Sequence, residues 1–404
     1  MKKIGVLTHC VATNYGANLQ SLSTAYYLRN HGYEPVFLNW SVYLDEVNIK
    51  MNPKQVEMHS TILSRHGFKV SSPCNNPDDF LKVIENEDIH NIIVGSDAVL
   101  TIKPFIDSIR LTKKGIKWGH IQPDYLFPNP FWLDFLQNTN IKIKAFLMSP
   151  SCQSSRYKLL STDVKRQMAE QLHKYCYLSA RDGYTQKMIC DIANIDISKV
   201  PLTPDPVWNF NENVGDIIPS KKDLLNKYKI DSDNYVLLSF YSFNVPSDKW
   251  LNDIANELKK YGYETYFIPM PQDDCNYSIK TIHLPIDSVD YFSLIKYSKG
   301  YIGNNMHPII TAIHNGIPFV SIDHHGKWYL HGLFQSSKSS KVKNLLDRFS
   351  LSGNRIASSN LRKKSVYDIV GTLLNTNMAL SKEMSDELRK DYLVMMRNIT
   401  HNFL

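Results

Sequence analysis

The sequence predicts an α/β protein made of two doubly wound domains, and three observations carry that expectation. The strand–helix–strand pattern at the N-terminus recurs without a gap 230 positions later. Val6-Leu7 falls on Val236-Leu237, Ala25 on Ala255, Leu28 on Leu258 and Arg29 on Lys259, Gly32-Tyr33-Glu34 falls on Gly262-Tyr263-Glu264, and Phe37 falls on Phe267. Each copy gives an apolar strand, a polar loop, an amphipathic helix, a Gly past the helix end and a second strand, which is how a doubly wound domain opens. The apolar run Ile89 to Val94 ends in Gly95-Ser96-Asp97, as a buried parallel strand and its exit loop do. A chain of 404 residues suits two full cores, at roughly 100–200 residues per domain. Facing domains of this kind enclose a cleft, where ligands commonly bind.

The elements follow in order. The first strand spans about Ile4 to His9, a helix about Asn18 to Asn30, and a second strand Pro35 to Asn39. Residues from Ser41 to Cys74 show no clear periodicity. Trp118 to Phe135, rich in aromatics and Pro, reads as an ordered excursion rather than a linker. A strand is expected at Ile141 to Met148, and helices at Asp163 to Lys174 and Tyr184 to Ile192. Asn, Gly, Asp and Pro collect between Asn211 and Ser220, so the expected domains are 1–215 and 216–404. The second domain predicts strands at 235–239, 265–268, 281–284, 300–302 and 318–322. Its helices are expected near 248–261, 289–298 and after Met306, with a helical tail from about Leu361 that is free to cross back onto the first domain.

Composition excludes several classes. No apolar run approaches the roughly 20 residues of a membrane helix. The start Met1-Lys2-Lys3 is followed by too short an apolar stretch for a signal peptide. Six Cys without CxxC spacing indicate neither a zinc site nor a disulfide framework, and point to the cytoplasm. The net charge of +7 reads as a solvated Lys-rich surface, with clusters near Lys338, Lys341, Lys343 and Arg362-Lys363-Lys364. Contact with an anionic membrane face or an anionic substrate is the alternative. No nucleic-acid-binding signature is present.

Several residues sit where such folds do chemistry. The loop Thr13-Asn14-Tyr15-Gly16-Ala17-Asn18 lies between the first strand and its helix, where backbone N–H groups favour an anion. It lacks GxGxxG, so no dinucleotide cofactor is expected. The competing reading is a helix start capped by Asn18. Ser96 and Asp97 end a strand on the ligand-binding edge; Asp97 is a candidate general base or anchor for a sugar hydroxyl, against a plain capping role. Arg181 offers a planar fork for carboxylate or phosphate, against a salt bridge to Asp182 or a neighbouring helix. His307 sits at a predicted helix start with Pro308 in the first turn, where the ring is kept neutral and suits proton transfer. Asp323-His324-His325 cannot easily share one metal ion, because adjacent strand residues face opposite ways. Lys327 follows a strand end and is a candidate point charge for phosphate.

The ordered set Asn14-Tyr15-Gly16-Ala17-Asn18-Leu19-Gln20, Val94-Gly95-Ser96-Asp97, Ser149-Pro150-Ser151, Leu178-Ser179-Ala180-Arg181, Pro204-Asp205-Pro206 and His307 through Gly316-Ile317-Pro318-Phe319-Val320 resembles the polysaccharide pyruvyl transferase family. The resemblance implies two Rossmann-like domains in a GT-B-like arrangement. It implies phosphoenolpyruvate as donor, and as acceptor a sugar of a cell-surface glycan or its lipid-linked precursor. It implies His307 in proton transfer, with Asp97 as the second catalytic candidate, and Arg181, Asn305 and Lys327 on the donor. Asn14, Tyr15, Gly16, Asn18, Gln20, Ser96 and Ser149 would then lie on the acceptor side or its loop. Neither a metal nor a cofactor is implied. Two departures stand out: Asn305 occupies the position where many members carry Arg, two residues before the His, and Pro308 stands where a small residue is commoner. A nucleotide-sugar glycosyltransferase and a non-catalytic glycan-binding protein remain the alternatives. Peripheral membrane contact and a homo-oligomer stay open.

Overall fold

The computed structural model describes all residues except 42–43, 45–50, 113–114, 138, 154, 241–245, 272–276, 324–326, 330–333 and 337–339; side chains of 110–117, 327–329, 334–336 and 380 are likewise not described. The first half opens with β1 (Lys2–Leu7), α1 (Tyr15–Asn30) and β2 (Tyr33–Phe37). Helices α2 (Pro53–Ser60) and α3 (Ile62–Arg65) and the short β3 (Lys69–Val70) organise the stretch whose sequence shows no period. Then come α4 (Pro77–Asn86), β4 (Asn91–Asp97), a hairpin of β5 (Ile109–Thr112) and β6 (Gly115–Trp118), and β7 (Lys144–Pro150). Helix α5 (Thr162–Leu172), β8 (Tyr175–Leu178) and α6 (Gly183–Ala193) complete this half. The aromatic excursion is ordered, and it buries Phe131, Trp132, Leu133 and Phe135.

The expected linker is helical. It carries α7 (Phe210–Val214), and Ser220 caps α8 (Lys221–Lys227). The second half holds β9 (Tyr235–Ser239), α9 (Asp248–Lys259), β10 (Glu264–Phe267), α10 (Ser288–Tyr297), β11 (Gly300–Gly303), α11 (Met306–His314) and β12 (Phe319–Asp323). It continues through β13 (Lys327–Tyr329), β14 (Phe334–Ser336), α12 (Lys341–Arg348), β15 (Arg355–Ala357), α13 (Val366–Leu374) and α14 (Ala379–Thr400). The strand expected at 281–284 is not formed: Thr281 makes only an isolated bridge to Phe267.

Two separate parallel sheets result, in the orders β3-β2-β1-β4-β7-β8 and β10-β9-β11-β12-β15. The repeated trio has a backbone cause. Gly32 and Gly262 both end their helices at φ near +80°, at 82° and 80°, the left-handed region open to glycine. Each sheet reverses direction once, between β1 and β4 and between β9 and β11, and the carboxyl ends at such points form ligand-binding crevices.

The halves meet along α1, which is buried on nearly every side. Tyr15 stacks on Tyr291 of α10 at 3.9 Å. The Gln55 amide clasps the Ile286 backbone, donating to its carbonyl at 2.8 Å and accepting its N–H at 2.7 Å. Arg65 pairs with Asp287 at 2.7 Å. The chain end returns to the first half, where the Leu404 N–H donates to Asn91 and Phe403 packs against Tyr33 and Phe146.

Buried His59 lies in this seam, bonded to Asn18 and 3.4 Å from the Ser288 hydroxyl. Burial pushes its pKa down to about 3, against the pull of Asp287. A histidine that stays neutral when folded but takes a proton when unfolded supports stability above the ordinary value of 6.5; that support drains as pH falls toward 3. His59→Gln should therefore flatten the acid side of an unfolding free-energy profile measured by denaturant titration, by about 1.4 kcal/mol per pH unit below 6.5. An unchanged slope would show that His59 is not held neutral.

Candidate functional site

The site is assembled from both sheet edges. Asp97 ends β4 in a left-handed conformation, φ 74°, which costs a non-glycine residue about 1–3 kcal/mol. The Ala98 N–H donates to Asp97 Oδ1 at 2.8 Å. Arg181 follows β8, its N–H bonded to the Pro150 carbonyl. Asp205 sits between two prolines and caps the turn that follows, accepting the Val207 N–H at 3.0 Å with Oδ1. In the second half, Asn305 precedes α11, so His307 occupies the second position of that helix and Pro308 the third.

One relay joins these groups. Arg181 donates to Asp205 Oδ2 at 2.8 Å and reaches toward Asp97 at 4.0 Å. The same Asp205 oxygen accepts the Gln20 amide from α1. That amide nitrogen also lies 3.3 Å from His307 Nε2, which is 3.8 Å from Asp205. A donor already committed to a carboxylate offers its second N–H to the ring, so Nε2 accepts and the proton sits on Nδ1. The His307 ring lies against Gly16: a Cβ there would overlap it. The close approach, not the φ, is what requires glycine at 16.

The electrostatics follow from enclosure. Burial lowers the His307 pKa, outweighing Asp205 and Asp97, so the ring is neutral at pH 7. Burial alone would raise Asp97, but His9, Arg181, His307 and Lys341 hold its pKa below the usual value. A carboxylate held that way is an ionised anchor and a weak base. Burial would lower Arg181, and Asp205, Asp97 and Asp182 reverse it. Lys341, the first residue of α12, is drawn down to about 8 by burial and by Arg181, against Asp182 and Asp97. It is held there by Ser340, whose hydroxyl donates to Asp323 at 2.6 Å, while Arg355 grips the same carboxylate oxygen at 2.6 Å.

Asp97, Arg181, Gln20, Gly16 and His307 thus come together. Other expected residues are committed elsewhere. Asn14, not Asn18, caps α1, accepting the Gly16 and Ala17 N–H groups. Those N–H groups are therefore bonded within the protein. Tyr15 and Asn18 are buried in the seam, with Asn18 accepting the Ser288 hydroxyl at 3.1 Å. The Ser149 hydroxyl is bound to the Thr203 carbonyl at 3.0 Å. Ser96 is buried, and its hydroxyl has no partner among the described residues. Asn305 donates to Met270 Sδ at 3.1 Å. Lys327 starts β13, but its side chain lies outside the described residues, as do His324 and His325. Arg181 pairs with Asp205 and Asp97, whereas Asp182 caps α6. Asp205 joins the site without having been expected there, although its two flanking prolines mark a fixed turn, and Lys341, expected on a solvated surface, faces the cluster.

The polysaccharide pyruvyl transferase family matches residues 14–326. The chain belongs to that family. No curated protein matches the sequence significantly. Among solved structures, the pyruvyl transferase family chain is similar to the UDP-GlcNAc 2-epimerase from Neisseria meningitidis bound to UDP-GlcNAc (TM-score 0.58, 12% identity, 100% of both chains). It is similar to the UDP-GlcNAc 2-epimerase from Methanocaldococcus jannaschii (TM-score 0.55, 11% identity, 96% of this chain and 100% of that one). It is also similar to spinosyn rhamnosyltransferase (TM-score 0.51, 10% identity, 100% of both). These similarities show a GT-B-like α/β fold.

Gly16→Ala tests the packing against His307. Alanine suits a helix, so the melting temperature should hold, while the displaced ring should cost about a hundredfold in turnover. Wild-type turnover in this variant would show that the ring does not need its place over Gly16.

Proposed function

We propose that the protein moves a pyruvyl group from phosphoenolpyruvate to a sugar of a cell-surface polysaccharide or its lipid-linked precursor, forming a ketal. The observation that carries this reading is the relay across the gap, with a neutral His307 and a cationic Lys341 flanking one Arg–carboxylate cluster. Membership of the family supports it.

The Lys341 ammonium gives a proton to the methylene carbon of the donor, leaving a cation at the enol carbon. A sugar hydroxyl attacks that carbon and loses its proton to His307 Nε2, once the Gln20 amide swings off it. Phosphate then departs with the electron pair of its C–O bond. A second hydroxyl attacks the same carbon to close the ketal and gives its proton to the Lys341 amine, which restores the ammonium. The N–H groups of the Arg181 fork that are not given to Asp205 suit the donor carboxylate, and Asp97 suits an acceptor hydroxyl. Asn305 supplies a neutral amide where an Arg would add charge, and Lys341 makes up part of that charge.

The test is acceptor-dependent phosphate release from phosphoenolpyruvate with an extract of lipid-linked sugars. Nucleoside diphosphate release from a nucleotide sugar would instead mark a glycosyltransferase, and stabilisation by glycan without turnover would mark a binding protein. His307→Ala should keep the fold and lower kcat by about 10²–10⁴-fold; wild-type rates would remove its proton-transfer role. Arg181→Lys should raise the KM for donor roughly tenfold, because a point charge cannot replace a fork; an unchanged KM would count against that contact.

The rate should also depend on pH from both sides. Below the depressed pKa of His307 the base is protonated, and near pH 8 Lys341 loses its proton, so kcat/KM should fall at both ends. Lys341→Met should lower the rate and erase the alkaline limb. A surviving alkaline limb would assign the acid elsewhere.

A further inference from the structure

The aromatic, Pro-rich excursion takes no part in the chemistry above, yet it folds back onto the turns that carry the site. Strands β1 and β4 run side by side, Leu7 opposite Val94, so their exit turns are neighbours. The Thr8 hydroxyl ties those turns, donating to the Ser96 carbonyl at 3.2 Å. His9 then meets Phe131 of the excursion edge-on, with ring centroids 4.9 Å apart. Asn129 fixes that part of the excursion: its amide donates to the Asp124 and Leu126 carbonyls at 3.2 and 2.7 Å, and its oxygen accepts the Phe131 N–H at 3.0 Å. From the other side, the Lys103 N–H donates to the Tyr125 carbonyl at 2.9 Å, and the Lys103 ammonium lies 4.0 Å from the centre of the Tyr125 ring. His9, Phe131, Asp124, Tyr125, Lys103 and Asp97 therefore belong to one closed circuit of contacts.

That circuit carries oxygens it does not satisfy. Asp124 is 5% exposed and Thr101 4%, and neither Asp124 Oδ1 nor Thr101 Oγ1 has a hydrogen-bond partner among the described residues. The buried Ser96 hydroxyl is in the same position. Thr101 closes the turn after Asp97, its N–H bonded to the Ala98 carbonyl at 3.1 Å. Buried oxygens left unpaired weaken a fold, so three of them around one strand end mark a place where a ligand supplies the partners. The electrostatics agree with the contacts. Burial raises the Asp124 pKa against His9, its own N–H and Lys103. Burial would raise Asp97 as well, and His9 leads the groups that reverse it, so both carboxyl groups act on one imidazole. The Tyr125 hydroxyl is pushed up to about 12 by burial, with Asp124 and Asp97 both adding to it.

We propose that this circuit is a sugar subsite, holding the non-reacting hydroxyls of one pyranose ring on Asp124, Thr101 and Ser96 while Asp97 takes the hydroxyl that reacts. A hydroxyl both donates and accepts, so a single sugar ring offers a donor to Asp124 Oδ1 and a partner of either sense to the two side-chain hydroxyls. A carboxylate ligand would offer Asp124 no donor at all. The excursion thereby gains a function: it brings Asp124 to the side of the site away from the Arg181–Asp205 pair. That the bound sugar is the pyruvyl acceptor rests on the pyruvyl-transfer reading; that the circuit binds a sugar does not.

Saturation-transfer NMR of the full chain with the methyl pyranosides of glucose, galactose and mannose tests the proposal. At least one should bind, and Asp124→Asn should raise its Kd about tenfold, because a neutral amide oxygen accepts less strongly than a carboxylate. Thr101→Val, which removes only the hydroxyl, should raise it about threefold. A purely structural role would instead lower the melting temperature, whereas removing an unpaired buried group should hold or raise it. With phosphoenolpyruvate and the extract of lipid-linked sugars, each variant should raise the KM for acceptor by the same factor and leave the KM for donor alone. The proposal is overturned if no pyranoside binds, if both variants bind like wild type, or if both lose melting temperature. Should Asp124→Asn alone lose stability, Thr101→Val decides. Pyranoside binding without phosphate release by the wild-type chain would count against pyruvyl transfer and leave the subsite standing.

Discussion

The arrangement depends on one hydrogen-bond relay across the gap, from Arg181 through Asp205 and Gln20 to His307. Arg181, Asp205 and Gln20 belong to the first half, and His307 to the second. The Gln20 amide carries that relay from one half to the other, beside a direct 3.8 Å approach of His307 to Asp205, so the backbone that bears it must be fixed. Helix α1 fixes it, because its burial against both halves leaves little room to shift. The Ser23 hydroxyl, one turn further on, donates to the Pro206 carbonyl at 2.6 Å and ties the same helix to the turn that Asp205 caps. The seam of Tyr15, Asn18, His59 and Gln55 is therefore not remote from the chemistry; it sets the distance at which His307 meets the cluster.

That dependence explains why burial and charge are combined as they are. A buried ion pair is weak evidence of stability, since desolvation consumes much of the attraction. Here Asp205 receives an Arg, an amide and a backbone N–H, which satisfies both oxygens. The result is a rigid charge pattern rather than a strong bond. It leaves His307 neutral at pH 7 and Lys341 still mostly protonated there but more acidic than an ordinary lysine, two groups able to move protons in opposite directions.

The sequence disclosed the parts that local rules decide. The repeat predicted both sheets, because Gly past a helix and apolar alternation are local requirements, met at Gly32 and Gly262. His307 was legible because Pro308 marks a first helical turn. Asp97 and Arg181 were legible because they follow strands. The α1 helix was harder: its polar residues broke the expected amphipathic pattern because Asn18, Gln20 and Ser23 face protein on their side too. Lys341 was invisible, since its neighbours Asp97, Asp182 and Arg181 are far away in sequence, and a lysine in a basic stretch ordinarily faces water. Tyr15 and Ser149 looked like loop residues at a site, but the other half of the chain covers the first and Thr203 occupies the second.

A crystal structure of the protein soaked with phosphoenolpyruvate tests this account most directly. The account predicts the donor in the gap between the Asp97 turn and the start of α11, its carboxylate on the Arg181 fork and its methylene facing Lys341, with the His307 ring still over Gly16. Donor bound away from that gap, or a His307 ring turned out of it, would contradict the account.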